Sequence, residues 1–265
     1  MIDRIQVDAD TRAFSKTTNA YVVGETDSLL VDPGGVANSL AEALTERDVG
    51  HVAVTHHHPD HLGALAQYAR EFDLTVWARA GRTDSFEAAT GVNPDRTFRP
   101  GDVIPVAGGV RILDTPGHAP EHVAFEVDDS VLCGDLAVAV GSVVVGSPEG
   151  DMRAYLTSLR RLHARNPDRL LPGHGPVIEE ARATCERLLS HRLDREKRVL
   201  DAVKAGCEAP PDIVEEVYEK DVSDVYDLAL ATTVAHLEKL DVEDRVRWNG
   251  SRARPVRNYT GRRNE

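Results

Sequence analysis

The 265-residue chain is poor in several residue types, and each shortage narrows what it can be. Its three cysteines, Cys133, Cys185 and Cys207, form no CxxC pair and are too few for a disulfide framework, which fits a reducing cytoplasm. Long apolar runs are missing too. The longest uncharged stretch, LAVAVGSVVVGSP at 136–148, is well short of the roughly 20 residues that span a bilayer. The first residues, MIDRIQVDADTRAF, place acids where a secretory leader has a basic and then an apolar segment. Lysine is scarce, 5 residues against 26 arginines, and 44 acids outnumber both, leaving a net charge of −13. Such a surface disfavours a polyanionic partner. It suits a protein working in high salt, where screening removes self-repulsion. A halophilic source is therefore expected, although the arginine excess also matches a GC-rich genome. A hydrophobic content of 41% supports one large domain, or one domain with a small appendage.

Short β-rich runs, AYVVG at 20–24 and SLLVD at 28–32, precede a helical stretch, NSLAEALTER. HVAVT at 51–55, a helix near LGALAQYAREF and TVWAR at 75–79 follow, then VRILDT, HVAFEV and SVLCGD between 110 and 135. Met152, Tyr155, Leu156, Leu159 and Leu162 share one face of a helix over 152–165, and RLLPG at 169–173 reads as a last strand. The pattern is that of an α/β protein with helix-covered sheets. From about 178 the texture changes to three helical segments, and Asn249-Gly250 between alternating runs marks a hairpin. This divides the chain into a domain at 1–178 and a helical, winged-helix-like region at 179–265.

Chemistry concentrates in THHHPDH, residues 55–61. In an extended stretch residues two apart point the same way, so His56 and His58 can meet one ion while His57 faces solvent. Pro59 bends the chain and lets Asp60 and His61 face a second ion. Three further candidates lie just past expected strands, each preceded by glycine: His118 in TPGH, Asp135 in CGD and His174 in PGHG. Asp32 ends SLLVDPG at the same edge. Cys133 is read as a buried, inert thiol, His122 as a structural residue with a supporting or substrate-contacting role as the alternative, and Asn19 and Tyr21 as packing and turn residues.

The ordered set HHHPDH, TPGH, CGD and PGHG resembles the metallo-β-lactamase superfamily, whose pattern is HxHxDH, then His, Asp and His. The resemblance spans 19–175 and implies an αββα sandwich. It implies that His56, His58 and His118 hold one metal, that Asp60, His61 and His174 hold another, and that Asp135 bridges them, with Asp32 supporting a ligand. Zinc, two ions per chain, suits these donors, and manganese or iron would be accepted. Zinc lowers the pKa of water from 15.7 to about 7, roughly nine units or about 12 kcal/mol in favour of hydroxide. A hydroxide bridging two metals would attack an ester, thioester or phosphodiester, with Asp60 orienting it or taking its proton.

Two stretches, GDMRAYLTSLRRL and HRLDREKRVL, look like the glyoxalase-II-related hydrolases and the β-lactamase-like protein 2 family, some of which are reported to cleave single-stranded RNA. TPGHAPEH departs from the TPGHTxGH more usual in glyoxalase II, so a glyoxalase II-type thioesterase is an alternative. An RNA-cleaving endonuclease is another, because residues 245–265 carry seven arginines and one acid, against 24 basic and 43 acidic side chains elsewhere. That basic tail could grip phosphates, or pair with the chain's own acids or a second subunit. A mononuclear iron persulfide dioxygenase shares the fold and is the redox alternative. A small-molecule substrate and no membrane partner are expected.

Overall fold

The computed structural model describes residues 1–12, 16–106 and 108–256. Two sheets face each other. The first holds, side by side in sequence order, β1 (Ile2–Asp8), β2 (Thr17–Val23), β3 (Ser28–Val31), β4 (Val49–Ala53), β5 (Thr75–Arg79) and β6 (Arg96–Phe98). Its first three strands are antiparallel and the rest parallel. The second holds β7 (Val103–Ile104), β8 (Val110–Asp114), β9 (Val123–Val127), β10 (Ser130–Gly134) and β11 (Arg169–Pro172), with only the last pair parallel.

The alternation of side chains along each strand builds three layers of core. Tyr21, Val23, Leu29 and Val31 point inward and meet Ile112, Phe125 and Leu132 of the opposite sheet. Ala20, Val22 and Leu30 point outward against α1 (Asn38–Glu46) and α3 (Leu65–Glu71), through Leu40, Leu44, Leu65 and Tyr68. Val131 and Cys133 point outward on the other side, against α5 (Met152–Arg165) and the first half of α6 (Ala181–Ala205). The result is the expected αββα sandwich. Met152, Tyr155, Leu156, Leu159 and Leu162 are all buried, as their spacing requires. Cys133 is fully buried, and burial pushes its thiol well above the usual range.

Several elements escape the sequence reading. β1 buries only Val7 along an otherwise charged edge strand, so it lacks the clean alternation that betrays a half-buried strand. β6 and β7 are three and two residues long, too short for any period. The strand expected to reach Thr55 ends at Ala53, and Pro59 opens a single helical turn, α2 (Pro59–Leu62). A further helix, α4 (Thr83–Thr90), buries only Phe86.

Beyond the sandwich, the second half of α6 packs with α7 (Pro210–Val217), α8 (Tyr226–Val242) and the hairpin of β12 (Val246–Trp248) and β13 (Ala253–Pro255) around a separate core that includes Val199, Val203, Ile213, Leu237 and Val246. The hairpin forms where Asn249-Gly250 marks it, but not as a two-residue turn. Asn249 Oδ1 accepts from the backbone of Ser251 and Arg252, closing a four-residue loop. The hairpin arginines are spent on the chain's own acids. Arg252 and Arg254 both reach Glu208, Arg247 pairs with Asp244, and Arg245 pairs with Glu196. Arg257, Arg262 and Arg263 lie outside the described residues.

Glu196, 4% exposed, faces Lys239 at 2.7 Å, Arg245 at 2.9 Å and His236 at 3.9 Å. Burial opposes its charge, but these partners outweigh it and bring its pKa down to about 2. A depressed carboxyl stabilises the fold above its unfolded pKa and loses that contribution as pH falls through the folded value. Glu196→Gln is therefore expected to cost about 3 kcal/mol at pH 7. The difference from wild type should shrink as pH drops from about 4.5 towards 2, measured by urea unfolding.

Candidate metal centre

The candidate side chains sit past the C-terminal ends of strands, with His58 capping α2 and Asp60 and His61 within it. Asp32 follows β3, His56 follows β4, His118 follows β8, Asp135 follows β10 and His174 follows β11. The parallel β10–β11 pair sets Gly134 against Pro172, which brings Asp135 and His174 together. Two backbone bonds tie the sheets at this rim, from Val123 N–H to the Thr55 carbonyl (2.9 Å) and from Asn19 N–H to the Gly173 carbonyl (2.8 Å). The glycines have a steric task here. A Cβ on Gly173 would lie 2.5 Å from His61 Cε1 and 2.7 Å from an Asp135 oxygen.

Seven predicted residues converge. His58 Nδ1 lies 3.0 Å from His56 Nε2 and 2.9 Å from His118 Nε2. His174 Nε2 lies 3.3 Å from Asp60 Oδ2. Asp135 stands between, with Oδ2 3.6 Å from both His118 and His174 and Oδ1 3.5 Å from His61 Nε2. Three overlapping groups place their donor atoms within 4.8 Å of one another: His56–His58–His118, His56–His61–Asp135 and Asp60–His61–His174.

The outward nitrogens decide whether this set fits a metal. The Val144 and Thr17 carbonyls can only accept, so His118 Nδ1 (2.6 Å) and His174 Nδ1 (2.9 Å) carry the proton. The Asp32 carboxylate accepts from His61 Nδ1 at 2.9 Å, and Glu149 accepts from His58 Nε2 at 3.1 Å. Thr55 Oγ1 donates to Asp32, which leaves it to accept from His56 Nδ1 at 3.0 Å. All five histidines thus keep a proton on the outer nitrogen and turn the other nitrogen inward. Where these inward nitrogens are unprotonated, lone pairs about 3 Å apart repel unless a cation lies among them, and among the described residues His61 Nε2 and Asp135 Oδ1 are buried with no hydrogen-bond partner. The residues fit a metal centre.

Burial opposes the charge on Asp135, but His61, His118 and His174 outweigh it and hold its carboxyl far below the usual range. Asp60 is brought down to about 2, burial again being overcome, here by the His174 hydrogen bond and the charge of His61. Burial would discharge His61, yet Asp32 and Asp135 lift its pKa well above the ordinary value. A metal at His61 must displace that proton. Loading the metal-free protein with zinc should therefore release protons, and affinity should rise with pH, as calorimetry in buffers of different ionisation enthalpy would show.

The structure corrects one reading and sharpens others. His57 does not face solvent. Its ring is 11% exposed, packs edge-on to Phe86 at 5.5 Å, and its backbone N–H donates to Glu121 at 3.0 Å. His122 is neutral, with its pKa lowered to about 3 by burial and by the neighbouring histidines. Its Nε2 accepts from Asp135 N–H (3.1 Å) while Nδ1–H donates to Thr115 Oγ1 (2.8 Å), so it positions Asp135. Asn19 and Tyr21 do more than pack. They donate to the Pro172 carbonyl at 2.8 and 2.7 Å, and Asn19 also reaches the Gly175 carbonyl, anchoring the loop of His174. Glu149 escaped the sequence reading, because an acid 91 residues from His58 in GSPEG gives no local signal.

An αββα sandwich whose strand ends gather five histidines and two aspartates defines a class of metal-dependent hydrolase. Residues 16–174 match the metallo-beta-lactamase superfamily, and the chain belongs to that superfamily. It is 28% identical over 255 residues to a protein of Drosophila melanogaster named "Beta-lactamase-like protein 2 homolog", covering 88% of this chain and 85% of that one. It is 32% identical over 201 residues to "Atrochrysone carboxyl ACP thioesterase" of Aspergillus chevalieri, covering 71% of this chain and 60% of that one. A metallo-beta-lactamase family protein from Thermus thermophilus shares the fold over 96% of this chain and 98% of its own, with a TM-score of 0.76 at 24% identity. No described helix is long and apolar enough to cross a membrane.

Proposed function

We propose that the chain is a dinuclear hydrolase of small-molecule thioesters and related esters, carrying zinc as its two ions. His56, His58 and His118 would hold one ion, Asp60, His61 and His174 the other, with Asp135 serving both. The observation that carries this reading is the shared inward orientation of five histidine nitrogens, each set by an acceptor on the far side of its ring. When bound, such ions supply a water acidic enough to attack at neutral pH and positive charge for the oxyanion that follows. Asp60, ionised down to about pH 2, orients the nucleophile better than it stores a proton. His122 and Thr115 hold Asp135, while Asn19 and Tyr21 hold the loop of His174.

Thioesters lead because a relative at 32% identity is named a thioesterase. Nucleic acid ranks below them, since Arg245, Arg247, Arg252 and Arg254 are already paired with acids of this chain. The residues from 1 to 178 would carry the chemistry, and 179–265 would support it. The three free cysteines support a cytoplasmic setting.

The test is a screen of zinc-loaded protein against acyl thioesters, aryl esters, a phosphodiester and single-stranded RNA, with metal content measured on the same sample. Thioester turnover at about two zinc ions per chain is expected. Preference for the phosphodiester or RNA would overturn the substrate class, and one iron per chain would favour redox chemistry instead.

A further inference from the structure

The two candidate metal groups are braced from different parts of the molecule. In the His56–His58–His118 group, two rings take their orientation from one loop. Val144 accepts from His118, and Glu149 accepts from His58. Neither acceptor belongs to a strand or helix. Their loop is held instead by the C-terminal helices. Arg187 of α6 donates to the carbonyls of Val138, Ala139 and Gly141 at 2.7, 3.0 and 2.7 Å. Arg192, just over one helical turn further on, is buried and donates to the Val143 carbonyl, next to Val144. From α8, the Ala231 carbonyl accepts from Ser147 N–H at 3.1 Å, and Glu238 accepts from Ser147 Oγ at 2.8 Å. Gly146 lies so close to α8 that a Cβ on it would stand 2.8 Å from that of Ala231. The Asp60–His61–His174 group has a different brace. Asp32, just past β3, and the Thr17 carbonyl of β2 orient its histidines.

We infer that Arg187 and Arg192 are positioning residues for the metal at His56, His58 and His118, so that the C-terminal helices set the affinity of one site and leave the other unaffected. The inference rests on the dinuclear reading above. Partners that orient a ligating ring contribute about 10- to 100-fold to metal affinity. A loop whose carbonyls lose their donors presents Val144 and Glu149 less steadily, and the two rings they hold lose their aim.

Single-site backgrounds separate the groups. Asp60→Ala leaves the first group complete, and His118→Ala leaves the second. Zinc affinity is read by competition with a chromophoric chelator, with circular dichroism to check folding. Arg187 is exposed, so Arg187→Met should fold. It is expected to weaken zinc binding about 10- to 100-fold in the Asp60→Ala background and less than about twofold in the His118→Ala background. Arg187→Lys should recover part of the loss. Glu238→Ala, acting from α8, should repeat the asymmetry and serves if Arg187→Met does not fold. Equal losses in both backgrounds, or none in either, overturn the inference. Wild-type protein binding fewer than two zinc ions overturns the dinuclear reading, and the inference with it.

Discussion

Asp135→Ala is expected to lower kcat/KM by about a thousandfold or more and to strip metal from both groups. Asp135 is the only acid among the described residues whose carboxylate lies within 3.6 Å of His118, His61 and His174 at once. Its charge is the counterweight to a crowd of imidazoles, which is why its carboxyl stays ionised despite burial. Removing it leaves any cations there without a shared anion and leaves their charges repelling. A loss of about 4 kcal/mol of transition-state stabilisation corresponds to about a thousandfold in rate. Asp135→Asn keeps the shape and the Asp135 N–H bond to His122 but removes the charge, so it should lose nearly as much. Steady-state kinetics with metal content measured on each sample checks this. A near-wild-type rate for Asp135→Asn would place the chemistry elsewhere.

The second large effect is expected at Asp32. This buried carboxylate accepts from Thr55 N–H at 2.7 Å, Thr55 Oγ1 at 2.8 Å and His61 Nδ1 at 2.9 Å. Asp32→Ala leaves those donors without their acceptor and His61 without the nearer of its two counter-charges. Breaking a buried pair from one side costs about 3–5 kcal/mol, and metal affinity at Asp60, His61 and His174 should fall about 10- to 100-fold. Asp32→Asn separates the two contributions. Its backbone is left-handed, at φ 54°, a conformation asparagine tolerates. An amide can still accept from Thr55 N–H, but its NH2 meets the Nδ1–H of His61. Asp32→Asn should therefore keep more of the stability and lose most of the metal affinity. Urea unfolding of the metal-free variants and chelator competition on the same samples resolve the two quantities, and equal affinity for Asp32→Asn and wild type would remove Asp32 from its place behind His61.

The difference between these two acids marks where sequence reading stops. Asp135 and Asp32 both announce themselves as acids ending apolar runs, SVLCGD and SLLVD. Which of them faces the cluster directly and which stands behind His61 depends on how the two sheets close on each other. Glu149 shows the limit more sharply. It has the same charge and sits in a loop of small residues, yet only the fold lays it against His58. His57 fails in the opposite sense, since alternation turned it away from its neighbours correctly but could not show Phe86 and Glu121 waiting on that side.

By itself the sequence determined the fold class and named the candidate donors. Strand and helix periods are local, the face of α5 could be named residue by residue, and each candidate ligand follows a strand end in the same chain segment. Tertiary structure alone decided the tautomers, the bracing of the two groups and the pairing of the hairpin arginines. Those depend on partners far along the chain, Thr17 for His174 across 157 residues and Val144 for His118 across 26. An imidazole presents the same two nitrogens in any sequence. Which one points inward is fixed by the acceptor that folding brings to the other.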